Sequence, residues 1–294
     1  MLSLLSRPAG LPLSPLELRD QVRQDVANDD SLLTVYLRAA VSTAEAICNR
    51  SLVATRWKLV LDSFPGGAGY AAVPYGKAYG LPPQAMLLER GPVLAVQSIK
   101  YLDYQSVQQT LSPTVYIADL NGQLGRITPR FGQIWPPALP QIGSVEVIFD
   151  AGDCALVTAD AAADTITIVG GLWKALAIND TVRFSVSGGG GVYSPLAALP
   201  APLKPDIDYF VRTLPTATSM TLSATSGGAL IDITDVGQGQ AYIGQLHDSV
   251  HSWLLCRVGG FFENREDATV IQRGTLVQIP YLDRLLDAAT LYLN

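Results

Sequence analysis

The chain has 294 residues, enough for about two domains of ordinary size or for one domain carrying an insert. It is 48% hydrophobic and only 16% charged, with 26 glycines and 19 prolines, so it needs many turns and calls for partner surfaces as well as an interior. A net charge of −6 and an isoelectric point near 4.9 exclude a protein that grips nucleic acid by neutralising phosphates, because that requires a clustered basic face. No long apolar run reads as a bilayer span, and MLSLLSRPAGLPLSP (1–15) lacks a basic stretch ahead of its short apolar run, so the chain reads as soluble and without an export signal. Cys48, Cys154 and Cys256 are too few and too scattered for a disulfide framework or a zinc site and read as free thiols.

In chain order, Ser14, Pro15 and Glu17 predict a capping box with proline at the first helical position, opening a helix over 15–27. Asn28 or Asp29 caps a second helix over 29–50. Its apolar residues Leu32, Leu33, Tyr36, Leu37, Ala40, Val41, Ala44, Ile47 and Cys48 recur at helical spacing and form one broad stripe. The period then changes to two: RWKLVLD (56–62) predicts a strand with Trp57, Leu59 and Leu61 on one face. The stretch 64–83 holds five glycines and four prolines and predicts a long functional loop. Strands follow at 86–89, 93–102, 114–118, 124–128 and 145–150, with a turn at Asn121-Gly122, giving an antiparallel sheet or small barrel over 53–150.

From 155 to 244 the style shifts to short Thr/Val/Ile-rich runs at 165–169, 182–186, 209–213, 219–224 and 231–234, set between Gly, Pro and Ser clusters. The segment holds seven Asp, no Glu and four Lys or Arg, and it predicts a separate all-β domain that contacts a neighbour rather than turning over a substrate. Helical periodicity returns over 246–262, with a kink or stop expected at Gly259-Gly260. The tail 280–294 starts at a proline and places Leu282, Leu285, Leu286 and Ala289 on one face, a short apolar helix for docking on a partner or on the chain's own core. The fold class is therefore α+β: a small bundle of N- and C-terminal helices and an antiparallel β subdomain (1–154 with 245–294), interrupted by an all-β domain (155–244).

The chemical motifs are weak. His247 and His251 stand four apart on one helix, but Asp248 replaces the glutamate of a zinc-protease motif and the chain has no further histidine, so they read as helix-face residues. Four glycines at 188–191 are followed by no Gly-Lys-Ser/Thr and predict a hairpin tip rather than a phosphate loop. Glu263, Arg265, Glu266 and Asp267 read as a helix-end charge cluster, and Trp57, Trp135, Trp173 and Trp253 as core or interface anchors. The sequence points to no enzyme, cofactor or metal.

The segments DDSLLTVYLRAAVSTAEAICNRSLVATRWKLVLDSFP (29–65), RGPVLAVQSIKYLD (90–103), GRITPRFGQIWP (125–136), VEVIFDAG (145–152) and FFENRED (261–267) resemble the head-tail connector, or adaptor, proteins of tailed bacteriophages and prophages. The resemblance leaves out 155–244, where family members pass almost directly from the FDAG strand to the last helix. It implies a non-enzymatic virion protein assembled in the host cytoplasm. Its subunits form a ring, expected to be twelvefold, below the portal protein and above a stopper or tail-completion protein. Genomic DNA slides through the ring without specific binding, and no membrane is involved. On this reading Pro280, Tyr281, Leu282, Leu285, Leu286, Leu291 and Tyr292 dock on the portal, and Phe64, Tyr70, Tyr75 and Tyr79 of the long loop contact a neighbour. The alternative is a tail accessory protein whose inserted domain binds carbohydrate or a host surface through aromatics such as Trp173, Tyr193 and Tyr209; a cell-wall hydrolase finds no supporting constellation.

Overall fold

The computed structural model describes residues 1–6, 10–24, 27–66, 84–120, 122, 124–188, 196–205, 207–263 and 282–291. Helix α1 (Pro15–Val22) begins where Ser14 predicts and stops five residues before 27, because Arg23 turns left-handed (φ 58°) and its N–H returns to the carbonyls of Arg19 and Asp20. A 3-10 turn, Ala27–Asp29, leads into α2 (Asp30–Cys48), which Asn49 closes with another left-handed residue. The angle between α1 and α2 is pinned by Arg19, whose Nε donates to Asp30 Oδ1 at 2.6 Å while its Nη2 reaches Oδ2.

By length and mean hydropathy (1.2) the stretch Ala27–Cys48 could cross a membrane, contrary to the sequence-based expectation. In the fold its stripe of Leu33, Leu37, Ala40, Ala44 and Cys48 is bundle core instead. The other side of that core is α3 (Asp248–Glu263), which contributes Val250, Trp253, Leu254 and Val258. The expected break at Gly259-Gly260 does not occur. Each glycine costs about 1 kcal/mol of helix propensity, but Val258 is buried before the pair and Phe261 lies 5.8 Å from Tyr36 after it, so packing holds the helix through both.

The β subdomain is built from eight strands: β1 (Leu2–Ser6), β2 (Thr55–Leu61), β3 (Met86–Leu87), β4 (Val93–Leu102), β5 (Gln108–Thr110), β6 (Tyr116–Asp119), β7 (Arg126–Pro129) and β8 (Val145–Ala151). They form a five-stranded antiparallel sheet ordered β1-β2-β8-β4-β5 and a three-stranded sheet ordered β3-β7-β6, sharing one core around Leu59, Ile99, Ile127, Val147 and Phe149. The sequence analysis missed β1, an edge strand, and the short β5. At the sheet's centre Arg56 sits opposite Asp150 and binds it bidentately (2.7 and 2.9 Å), while Gln97 Nε2 donates to the same carboxylate.

Six further strands close into an antiparallel barrel: β9 (Cys154–Asp160), β10 (Thr165–Ile168), β11 (Thr181–Ser187), β12 (Asp208–Thr213), β13 (Ser219–Ser223) and β14 (Gln240–Gly244). Closure removes the edge strands that an open sheet would expose. The run 231–234 is not a strand, because its amides serve three different segments: Ile231 donates to Leu222, Ile233 to the Asp164 side chain and Thr234 to Ala201. No ladder can form on partners so scattered.

Candidate assembly surfaces

The tail docks on its own bundle. A 3-10 helix, Asp283–Ala289, stands where the sequence suggested a longer one, and it buries Leu286 and Ala289 in the bundle core with Leu282 and Leu285 packed beside them; Leu291 just after it is buried too. One backbone and one side-chain bond tie Leu291 to the end of α2: Leu291 N–H donates to Cys48 O at 2.8 Å and Asn49 Nδ2 to Leu291 O at 3.1 Å. Trp253 Nε1 donates to Asp283 at 3.2 Å. Leu286 and Leu291, expected to dock on the portal, are covered by this chain itself; Pro280, Tyr281 and Tyr292 lie outside the described residues. The outward positions of the short helix are Asp283, Arg284, Asp287 and Ala288.

The long loop meets a similar correction. Phe64 is 3% exposed and stacks on Trp135, with ring centres 5.0 Å apart and planes 9° from parallel, so it anchors the loop's root instead of reaching a neighbour. Tyr70, Tyr75 and Tyr79 lie outside the described residues. Both described roots, Gly66 and Gln84, border an apolar groove of about 500 Å³ floored by Phe64, Trp135 and Pro136. Tyr104 and Ile134 of its lining are exposed, as are Phe131 and Ile142 elsewhere in the β subdomain. On the bundle the outward face of α2 is sparsely charged. Of its exposed positions only Arg38 is charged, Ser31 and Ser42 are polar, and Val35, Ala39, Ala46 and Ile47 are apolar.

Bundle, sheet and barrel meet at one seam. The segment after α2 pairs with the start of β9: Asp153 N–H donates to Ser51 O, Cys154 N–H to Leu52 O and Ala54 N–H to Cys154 O (3.0, 3.2 and 2.8 Å). Gly152 is required here, since a Cβ would lie 2.5 Å from the Ala54 backbone. Arg50 binds Asp153 bidentately and reaches Ala289 O, which ties the tail to the same seam; burial pushes the Asp153 carboxyl up, against the pull of Arg50.

A second contact joins barrel and helices. Ser14 Oγ caps α1 by accepting from Glu17 N–H at 3.4 Å, as predicted, but the Glu17 carboxylate does not complete the box. Ser187, at the end of β11, takes its place: its hydroxyl accepts from Ser14 N–H (2.8 Å) and donates to Glu17 Oε2 (2.5 Å). His251 Nε2 of α3 meets Glu17 Oε1 at 2.5 Å. Burial alone would raise the Glu17 carboxyl, but the hydrogen bonds from His251 and Ser187 hold it below the ordinary range, and the bond to Glu17 raises the His251 imidazole. Tyr242 of β14 adds a bond from its hydroxyl to Leu11 O at 2.6 Å. Sequence reasoning missed Ser187 because nothing local distinguishes a strand-end serine.

Among the described residues no group of three or more His, Cys, Asp or Glu is placed to hold a metal ion. His247 lies just before α3, not on it; it bonds to Ser249 and does not join His251 in a site. Of the aromatics considered for sugar stacking, Tyr209 is buried with its hydroxyl accepting from Lys204 N–H, and Trp173 packs against the barrel core; Tyr193 lies outside the described residues, as do 264–267 of the charge cluster and 189–191 of the glycine run.

The sequence matches no protein-family model and no curated protein. The fold does match solved structures. A chain from the virion of a native gene transfer agent particle aligns over 99% of this chain and 95% of its own length, with a TM-score of 0.51 at 16% identity. A chain from the neck of an empty gene transfer agent particle, computed with C6 symmetry, aligns over the same shares with a TM-score of 0.51 at 15% identity. The two share this chain's fold, and alignments of that extent take in the barrel as well as the bundle and sheets.

Proposed function

We propose that the chain is a structural, non-enzymatic protein of the neck of a tailed phage or phage-like particle. It forms a ring, expected to be twelvefold, below the portal protein, joins the DNA-filled head to the stopper and tail, and lines the channel through which DNA leaves. The observation that carries this reading is the nearly end-to-end fold match to a chain from the neck of a gene transfer agent particle.

Several features of the chain support it. The sparsely charged outward face of α2 and the exposed Phe131, Ile134 and Ile142 suit side-by-side packing in a closed ring, where each subunit offers two different faces. A net charge of −6 suits a channel that DNA slides through, since bound phosphates would oppose passage. With Leu286 and Leu291 covered, portal docking by the tail passes to the outward side of its short helix, at Arg284, Asp287 and Ala288. On this reading the chain divides into a connector part (1–154 with 245–294) and a barrel (155–244) that each subunit carries as an appendage.

Co-sedimentation of the purified chain with the portal protein of the same genome tests the reading. Saturable binding near one chain per portal subunit is the expected result. A chain that stays in the supernatant at every concentration refutes it.

A further inference from the structure

We propose that Glu17, His251 and Ser187 form a pH-dependent latch, which fixes the end of barrel strand β11 on the N-terminus of α1 while His251 is protonated and loosens when it is not. The geometry is a closed relay through three elements that are distant in sequence. Ser14 N–H of α1 donates to Ser187 Oγ, Ser187 donates to one Glu17 oxygen, and His251 of α3 holds the other. Gly188 shows how close the approach is: at φ +118° a Cβ there would stand 2.2 Å from Ser14 Oγ. The barrel is thus seated on the helix start by a hydroxyl that Glu17 orients, and Glu17 is oriented by His251.

The groups facing the relay are few. From α1 come Glu17 and Asp20, from α3 Asp248, from β14 Tyr242 and from β9 Cys154. Burial pushes the Tyr242 hydroxyl and the Cys154 thiol far upward, so both stay neutral while His251 titrates. Glu17, held below its ordinary value of 4.5, contributes stability that is present above that value and lost as pH falls through the lowered one. His251, raised above its ordinary 6.5, contributes stability that is fully present below that value and lost as pH rises through the raised one. The latch is doubly charged between those two ordinary values. On the alkaline side a neutral imidazole N–H still donates to the Glu17 carboxylate, but the ion pair is lost.

The test is amide hydrogen exchange at Ser14 in the full chain, expressed as a protection factor, together with proton NMR of the chain's two histidines. Protection of Ser14 should fall about fivefold between about pH 6 and about pH 9 as the ion pair with Glu17 is lost. His251→Gln should abolish that pH dependence. Glu17→Gln should bring the His251 titration down toward 6.5. Ser187→Ala should remove the Ser14 protection at every pH while leaving His251 titrating above that value. Wild-type protection that stays flat across the range overturns the latch, as does unchanged pH dependence in His251→Gln or Ser187→Ala, or an unmoved His251 titration in Glu17→Gln.

Discussion

The barrel and the bundle close in opposite ways. The barrel takes all six strands from one continuous stretch, and several of its neighbours are consecutive in sequence, β9 with β10, β11 with β12 and β12 with β13. The bundle needs both ends of the chain: Cys48 meets Leu291, and α1 and α2 meet α3 across the whole β region. Contacts between distant segments carry a larger chain-closure cost, so the bundle depends on its buried side chains more than the barrel does. The barrel should accordingly outlast the bundle when either is weakened.

The sharpest way to break this comparison is Trp253→Ala. Trp253 is fully buried between α2 and the tail helix, and its loss should cost about 4 kcal/mol. Denaturant unfolding of the variant should separate into an early bundle step and a late barrel step. A single transition would show that the two regions share one fate. Next comes Leu286→Ala, expected to cost about 3 kcal/mol by the same measurement, because this leucine fills the bundle core. A loss near zero would mean that the tail serves a partner and not its own chain.

Gly188→Ala probes the seam between the two regions. Its left-handed backbone and the nearby Ser14 hydroxyl predict a loss of about 2 kcal/mol, read as a lower denaturant midpoint and faster exchange at Ser14. The smallest effect has the opposite sign. Gly260→Ala should stabilise the bundle by about 0.5 kcal/mol, since an added Cβ there meets nothing within 4 Å and the residue lies inside a continuous helix. Destabilisation would revive the kink that the sequence suggested.

Much of this fold could be read in advance because periodicity reports burial. The α2 stripe is buried at Leu33, Leu37, Ala40, Ala44 and Cys48, and β4 spans the predicted 93–102. The FDAG segment is also intelligible residue by residue: Phe149 and Ala151 fill the sheet core, Asp150 binds Arg56, and Gly152 lets the chain cross Ala54. What failed were inferences that needed tertiary context. Propensity alone could not show that Tyr36 would hold α3 through two glycines, that Phe64 would stack on Trp135, or which of the two docking sites offered for the apolar tail, a partner or its own core, it would take. The Glu17 side chain was read as a local cap, and it serves a relay whose other members lie more than a hundred residues away.

The central claim is that this chain builds a neck ring. Negative-stain imaging of the purified chain, alone and mixed with the portal protein of the same genome, tests it most directly. The account predicts closed rings seated on the portal, with twelvefold averages and one peripheral lobe per subunit for the barrel. Particles that remain single chains and leave the portal bare would contradict it.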